Sequence, residues 1–149
     1  FEVAKLFAGI FVCMGPVLAM LKAGSSGAFA PLVALVSNSD GTLNNSAFFW
    51  LSGALSSFLD NTPTYLAFFN LAGGDPTVLM GADAVTLLAI SLGSVFMGAN
   101  TYIGNAPNFM VLSIAQSRGV KMPSFFGYMA WSVGILIPTF LLIDWLYLM

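Results

Sequence analysis

The chain has 149 residues, of which 58% are hydrophobic and only 7% charged, and its mean hydropathy is +0.92. Soluble domains are about a quarter charged, so this composition excludes an ordinary soluble domain and points to an all-α polytopic membrane protein. Four basic and six acidic residues leave a net charge of -2 and no basic stripe for nucleic acid; histidine is absent, and the single cysteine, Cys13, permits neither a disulfide framework nor a thiolate metal cluster.

In chain order, residues 1–22 read as a membrane helix. Its apolar run, Leu6 to Leu21, is preceded by Glu2 and Lys5, closed by Lys22, and carries a Gly15-Pro16 pair that predicts a kink. The run falls short of the roughly twenty residues needed to span, so Phe1 to Lys5 or residues upstream would have to complete it. Cys13 reads as a small buried apolar residue. The chain opens on Phe1 without an initiator Met or a signal-like charge pattern. It therefore reads as the C-terminal part of a longer protein, partnered by a missing N-terminal half. Residues 28–36 form a short apolar patch in a flexible connection, too short to cross a bilayer and suited to an interfacial helix.

Residues 46–72 form a long apolar run interrupted by Asp60-Asn61-Thr62-Pro63. A carboxylate at bilayer depth marks a functional site by default. Proline removes a donor and bends the residue before it away from the helix. The expected object is a re-entrant hairpin: two half-helices, Ser46 to Leu59 and Pro63 to Ala72, meeting at a polar tip. Ala72 to Pro76 is a turn. Residues 78–115 read as a broken membrane helix: a continuous run from Val78 to Met97, with Asp83 near its start, then Gly98 to Asn108, then Phe109 to Ala115. The plainer alternative is a loop that simply ends a complete span. A basic loop, Gln116 to Pro123, precedes a last membrane helix over 124–149, with Trp131 inside it. Trp145, Tyr147 and Asp144 are expected at the interface. Arg118 and Lys121 place that loop in the cytoplasm, and the hairpin mouth and C-terminus outside. Lys22 alone would equally fit a full crossing by residues 46–72.

The chemistry converges on the two interruptions. With Pro63 as the first helical residue and Thr62 or Asn61 as N-cap, the second arm would begin near the bilayer centre and turn its free N–H groups and positive dipole end to the tip. The first arm would leave free carbonyls there. Asp60 adds a titratable oxygen, and Ser56, Ser57, Asn61, Thr62 and Thr64 add neutral ones. A hard monovalent cation such as Na+ takes oxygen ligands of this kind. The plain alternative is a capped kink in which Asp60 only satisfies backbone amides. Ser52, Gly53, Ala54, Ser56 and Ser57 would let the arms pack closely.

In the second interruption Gly98, Gly104 and Pro107 break the helix, Asn105 is placed to cap its restart, and Asn100, Thr101 and Asn105 supply oxygens. Unwound backbone at that depth survives only inside protein or beside a cavity. A Na+ site is thus expected at Asp60, Asn61, Thr62 and Asn100, with Ser57, Thr101 and Asn105 beside it and no other metal or cofactor. No catalytic set is visible: no acids pair on a helix face, and Ser56 and Ser57 have no base. The dispersed methionines and the Ala130/Gly134 spacing read as packing.

The segments LSSFLDNTPTYLAFFNLAGG, GANTYIGNAPNFMV and GVKMPSFFGYMAWS resemble the ion transporter superfamily, within it citrate-transport-like and sodium/proton antiporter membrane proteins. The resemblance covers nearly the whole chain. It implies inverted repeats, each with a re-entrant hairpin and a broken helix, in a multi-pass homodimer of the bacterial cytoplasmic membrane that moves in an elevator-like way. Asp60, Asn61 and Thr62 match the hairpin-tip motif, and Asn100, Thr101 and Asn105 the broken-helix motif facing it. Sodium-coupled dicarboxylate relatives carry a neutral Ser-Asn-Thr tip. Asp60 departs from it, and a fixed carboxylate repels an anionic cargo unless Na+ or a proton neutralises it. The visible half also has no membrane-buried Lys or Arg to grip a carboxylate. Sodium/proton antiport is therefore the first expectation, cation-coupled transport of citrate or another small carboxylate the second, and a non-transporting membrane subunit the third.

Overall fold

The computed structural model describes residues 2–38 and 40–149. Phe1 and Ser39 of the expected segments therefore lie outside the described residues, as do the side chains of the flanking charges Glu2 and Lys22. Every regular element among the described residues is helical, apart from an isolated antiparallel bridge between Ser37 and Leu43.

Helix α1 covers Glu2–Lys22 and contains Pro16, and α2 is a seven-residue helix, Ala30–Val36. Cys13 is exposed rather than buried. The apolar run at 46–72 resolves into α3, Asn45–Ser56, and α4, Asn61–Leu71. The Asn44 side chain caps α3 by accepting from the Ala47 amide at 3.0 Å. Helix α4 ends where Gly73 and Gly74 take φ of 105° and 70°, a left-handed stop that a residue with a Cβ rarely adopts.

The next run differs from expectation. In place of a continuous helix from Val78 there is a one-turn helix α5, Pro76–Leu79, then a turn, then α6 over Ala84–Phe96. Asp75 starts α5 by accepting from the Thr77 and Val78 amides, and the chain turns at Gly81, where the Asp83 amide bonds back to Val78 O. Helix α6 passes into a 3-10 turn, Met97–Asn100, and the chain restarts as α7, Ala106–Ser117. The last helix, α8, runs 23 residues from Phe125 to Tyr147 and is capped by Ser124. It is the one helix among the described residues that is long and apolar enough to cross a membrane.

Packing centres on α3. Its partner is α6, reached through small residues: a Cβ on Gly93 would collide with Ser52 Oγ and Phe49 O, and one on Gly53 with the Met97 side chain. Close backbone approach through glycine and serine is how helices associate where lipid weakens the hydrophobic drive. Helices α3 and α4 run antiparallel, since Phe48 near the start of one meets Phe68 near the end of the other, with ring centroids 6.2 Å apart and edge-to-face. Helix α8 lies antiparallel along α3, with Phe140 against Phe49 at 6.3 Å. Phe48, Phe49, Phe68, Ala89, Ile90, Met97 and Phe140 form the shared core. The tip of the α3–α4 hairpin is thereby held against the α6–α7 break.

Candidate functional site

The first arm brings its last turn to the break. Ser56 Oγ donates to Ser94 O on α6, and Ser57 Oγ lies 2.9 Å from Gly53 O and 3.0 Å from Met97 O. Asn100 Nδ2 donates to Ser57 Oγ at 3.0 Å, and Thr101 Oγ1 donates to Ser57 O. Thr101 Oγ1 also accepts from the Gly104 amide at 2.9 Å and the Ile103 amide at 3.2 Å, which folds the irregular backbone back on itself. Gly104 sits where three carbonyls converge: a Cβ there would stand 2.6 Å from Gly98 O and 2.8 Å from both Ser56 O and Ser57 O. The carbonyl end of α3 and the unwound backbone thus face each other with no room for a side chain.

The break is fixed from behind. Asn108 Nδ2 bonds to Gly98 O at 3.0 Å and Thr101 O at 3.1 Å, Tyr128 OH to Ala99 O at 3.0 Å, and Ser132 Oγ to Asn100 O at 2.6 Å. Tyr102 stacks on Tyr128 with ring centroids 4.1 Å apart. Irregular backbone needs such partners when water cannot supply them.

Among the expected site residues, Ser57, Asn100, Thr101, Gly98 and Gly104 come together. Asn105 holds the N-cap position of α7 but makes no side-chain cap bond; it lies next to Gly98 instead. Pro107 is exposed in the first turn of α7. The cap of α4 is also placed differently. Asp60, not Asn61 or Thr62, is the N-cap, its carboxylate accepting from the Thr62 amide at 3.2 Å, so Asn61 is the first helical residue and Pro63 the third. The reason is local: an aspartate caps as well as an asparagine, and proline anywhere in the first turn forfeits only an amide that has no helical partner. Asp60 is half-buried at the tip. Asn61 and Thr62 line a groove of about 280 Å³ with Tyr65, Leu66, Ser94 and Val95.

Two buried oxygens near the tip have no partner: Ser94 Oγ, with no exposure, and Asn100 Oδ1, on a residue 6% exposed. An unpaired buried polar atom costs about 1–3 kcal/mol, and both sit on residues that hydrogen-bond the last turn of α3, through Ser94 O and Asn100 Nδ2. Both are hard neutral acceptors, the donor type that suits an alkali cation. Sequence reasoning missed Ser94, which stands one turn before Gly98, and gave Asn108 no role although it lies inside the interruption.

Asp144, expected at the membrane interface, is enclosed by protein: it is 4% exposed and accepts from Ser46 Oγ at 2.7 Å and Trp50 Nε1 at 2.8 Å. The rule that singled out Asp60, a carboxylate inside an apolar run, applied equally to Asp144.

A family model described as "Putative citrate transport" matches residues 1–148. The chain belongs to this citrate-transport family. No curated protein and no solved structure matches it. The family is a transport family by description, and the one helix among the described residues that is long enough to cross a membrane fits a membrane protein of that family.

Proposed function

We propose that the protein is a cation-coupled secondary transporter whose Na+ binds where the hairpin tip meets the break, and whose cargo is a small carboxylate of the citrate type. The carrying observation is the pair of unpartnered buried oxygens, Ser94 Oγ and Asn100 Oδ1, on two residues that hydrogen-bond Ser56 and Ser57 at the end of α3. Helix lengths support a midplane site: α3, α4, α6 and α7 have 12, 11, 13 and 12 residues, each rising only about 16–20 Å of a core about 30 Å thick. In this reading α3–α4 is a re-entrant hairpin, α6–α7 a broken helix, and the whole a multi-pass dimer of the bacterial inner membrane completed by a second repeat.

A second reading, sodium/proton exchange, is favoured by Asp60, a half-buried acid at the tip that could bind Na+ and H+ in turn. One experiment separates them. In proteoliposomes of the full-length protein, an inward Na+ gradient should drive uptake of labelled citrate. Dissipation of a proton gradient by Na+ without citrate uptake would establish the exchange reading, and neither activity would remove both.

A further inference from the structure

We infer that Asp144 is a positioning residue: its carboxylate fastens the base of α3 to α8 and thereby keeps the hairpin tip in register with the break. The inference rests on the cation-coupled reading above. Ser46 and Trp50 are four residues apart and so share one face of α3, and each donates to a different oxygen of the same carboxylate. Both donors are neutral, and α3, α6 and α8 contain no Lys or Arg. A buried carboxylate held by two neutral donors is an expensive way to join two helices when a serine or amide could do so. What it adds is geometric: two acceptors fixed in one plane set both the height and the rotation of α3.

The consequence reaches the tip because α8 grips both partners. Twelve residues before Asp144, about 18 Å along the helix, Ser132 holds Asn100 O, and between them Phe140 packs on Phe49. From Trp50 to Ser57 is seven residues, about 10 Å of the same rigid α3. A rotation of α3 at its base therefore moves Ser56 O and Ser57 O relative to Gly104 while Ser132 holds the break still.

The test uses the full-length protein in proteoliposomes, on a cysteine-free background with spin labels at Phe58→Cys beside the tip and Ile103→Cys in the break, both exposed positions. The unmodified latch should give one narrow label distance. Asp144→Leu removes both acceptors and leaves the Ser46 and Trp50 donors without them; it should broaden that distance and raise the Na+ concentration for half-maximal transport about tenfold, with the maximal rate little changed. Asp144→Asn, whose amide can accept from Trp50 while donating to Ser46 Oγ, should keep the narrow distance, and Trp50→Phe alone, which leaves the Ser46 bond, should broaden it less than Asp144→Leu. An unchanged distance in Asp144→Leu, or in Trp50→Phe should the former fail to fold, overturns the inference. So does a fall in maximal rate at unaltered Na+ dependence. If the parent protein shows no Na+ dependence at all, the cation-coupled reading fails instead, and the label distances still judge Asp144.

Discussion

Gly104→Ala is the sharpest test of the tip–break contact. A Cβ at this position would lie 2.6 Å from Gly98 O and 2.8 Å from Ser56 O and Ser57 O. Carbon and oxygen pack comfortably near 3.4 Å, so the three carbonyls would have to retreat by about 0.6 to 0.8 Å. None of them is the free end of a flexible side chain: all are backbone, and Ser57 O and Gly98 O are held by Thr101 and Asn108. Overpacking of this kind costs about 1–3 kcal/mol, and the upper half of that range applies here. Because the displaced oxygens are those proposed to face the cation, their retreat should also lower Na+ affinity, by about tenfold.

Gly134→Ala is the control, since a Cβ there meets nothing within 4 Å and replaces a helical glycine in α8. It should be neutral or add a few tenths of a kcal/mol. The assay is Na+-dependent transport by the full-length protein in proteoliposomes, together with thermal unfolding in detergent. If Gly104→Ala transports with parental Na+ dependence, the convergence of carbonyls on this glycine is packing alone.

Three further outcomes follow from the same geometry. Ser94→Ala removes an unpartnered buried hydroxyl, so stability in thermal unfolding should hold or rise while Na+ affinity falls about tenfold; unchanged affinity would leave Ser94 outside the site. Asp60→Asn keeps an N-cap of equal quality but removes the charge, so α4 should remain stable by thermal unfolding. Where the neutral oxygens of Ser94 and Asn100 hold the cation, it should spare citrate uptake; loss of citrate uptake would mean that the Asp60 carboxylate itself holds the cation. In the loop before α3, bonds from the Thr42 hydroxyl and amide hold the Asp40 carboxyl below its ordinary value of 3.8. A depressed value means that the loop's stabilisation is complete at neutral pH and is lost as pH falls through the folded-state value. Amide exchange at Thr42, followed by NMR, should therefore show loss of protection only in strong acid.

Both interruptions were legible because each breaks a local rule in a short window: Asp60 to Pro63 sets an acid and a proline inside an apolar run, and Gly98 to Asn108 gathers glycines, asparagines and a proline. Local chemistry was less well read where two residues could do the same work. Asp60, Asn61 and Thr62 are all competent N-caps, and only the backbone decides that Asp60 takes the role. The α5–α6 division was hidden because Val78 to Met97 stays apolar through a turn that rests on Asp75, Gly81 and one backbone bond from Asp83.

What the sequence could not show is pairing across distance. Ser94 is an ordinary helical serine until α3 packs on α6, Ser56 bonds its carbonyl, and its own hydroxyl is buried without a partner. Asp144 is an ordinary acid near a helix end until Ser46 and Trp50, nearly a hundred residues earlier, supply its two bonds. The two acids lie at opposite ends of the hairpin, and their surroundings assign them different work. Asp60 spends its carboxylate on a neighbouring amide at a half-open tip, so its charge remains within reach of a passing ion. Asp144 is enclosed with both oxygens engaged, so its charge can act only through the position of α3. A motif search finds the first kind of acid, because its partners are its neighbours in sequence. The second kind becomes visible only when α8 is laid against α3.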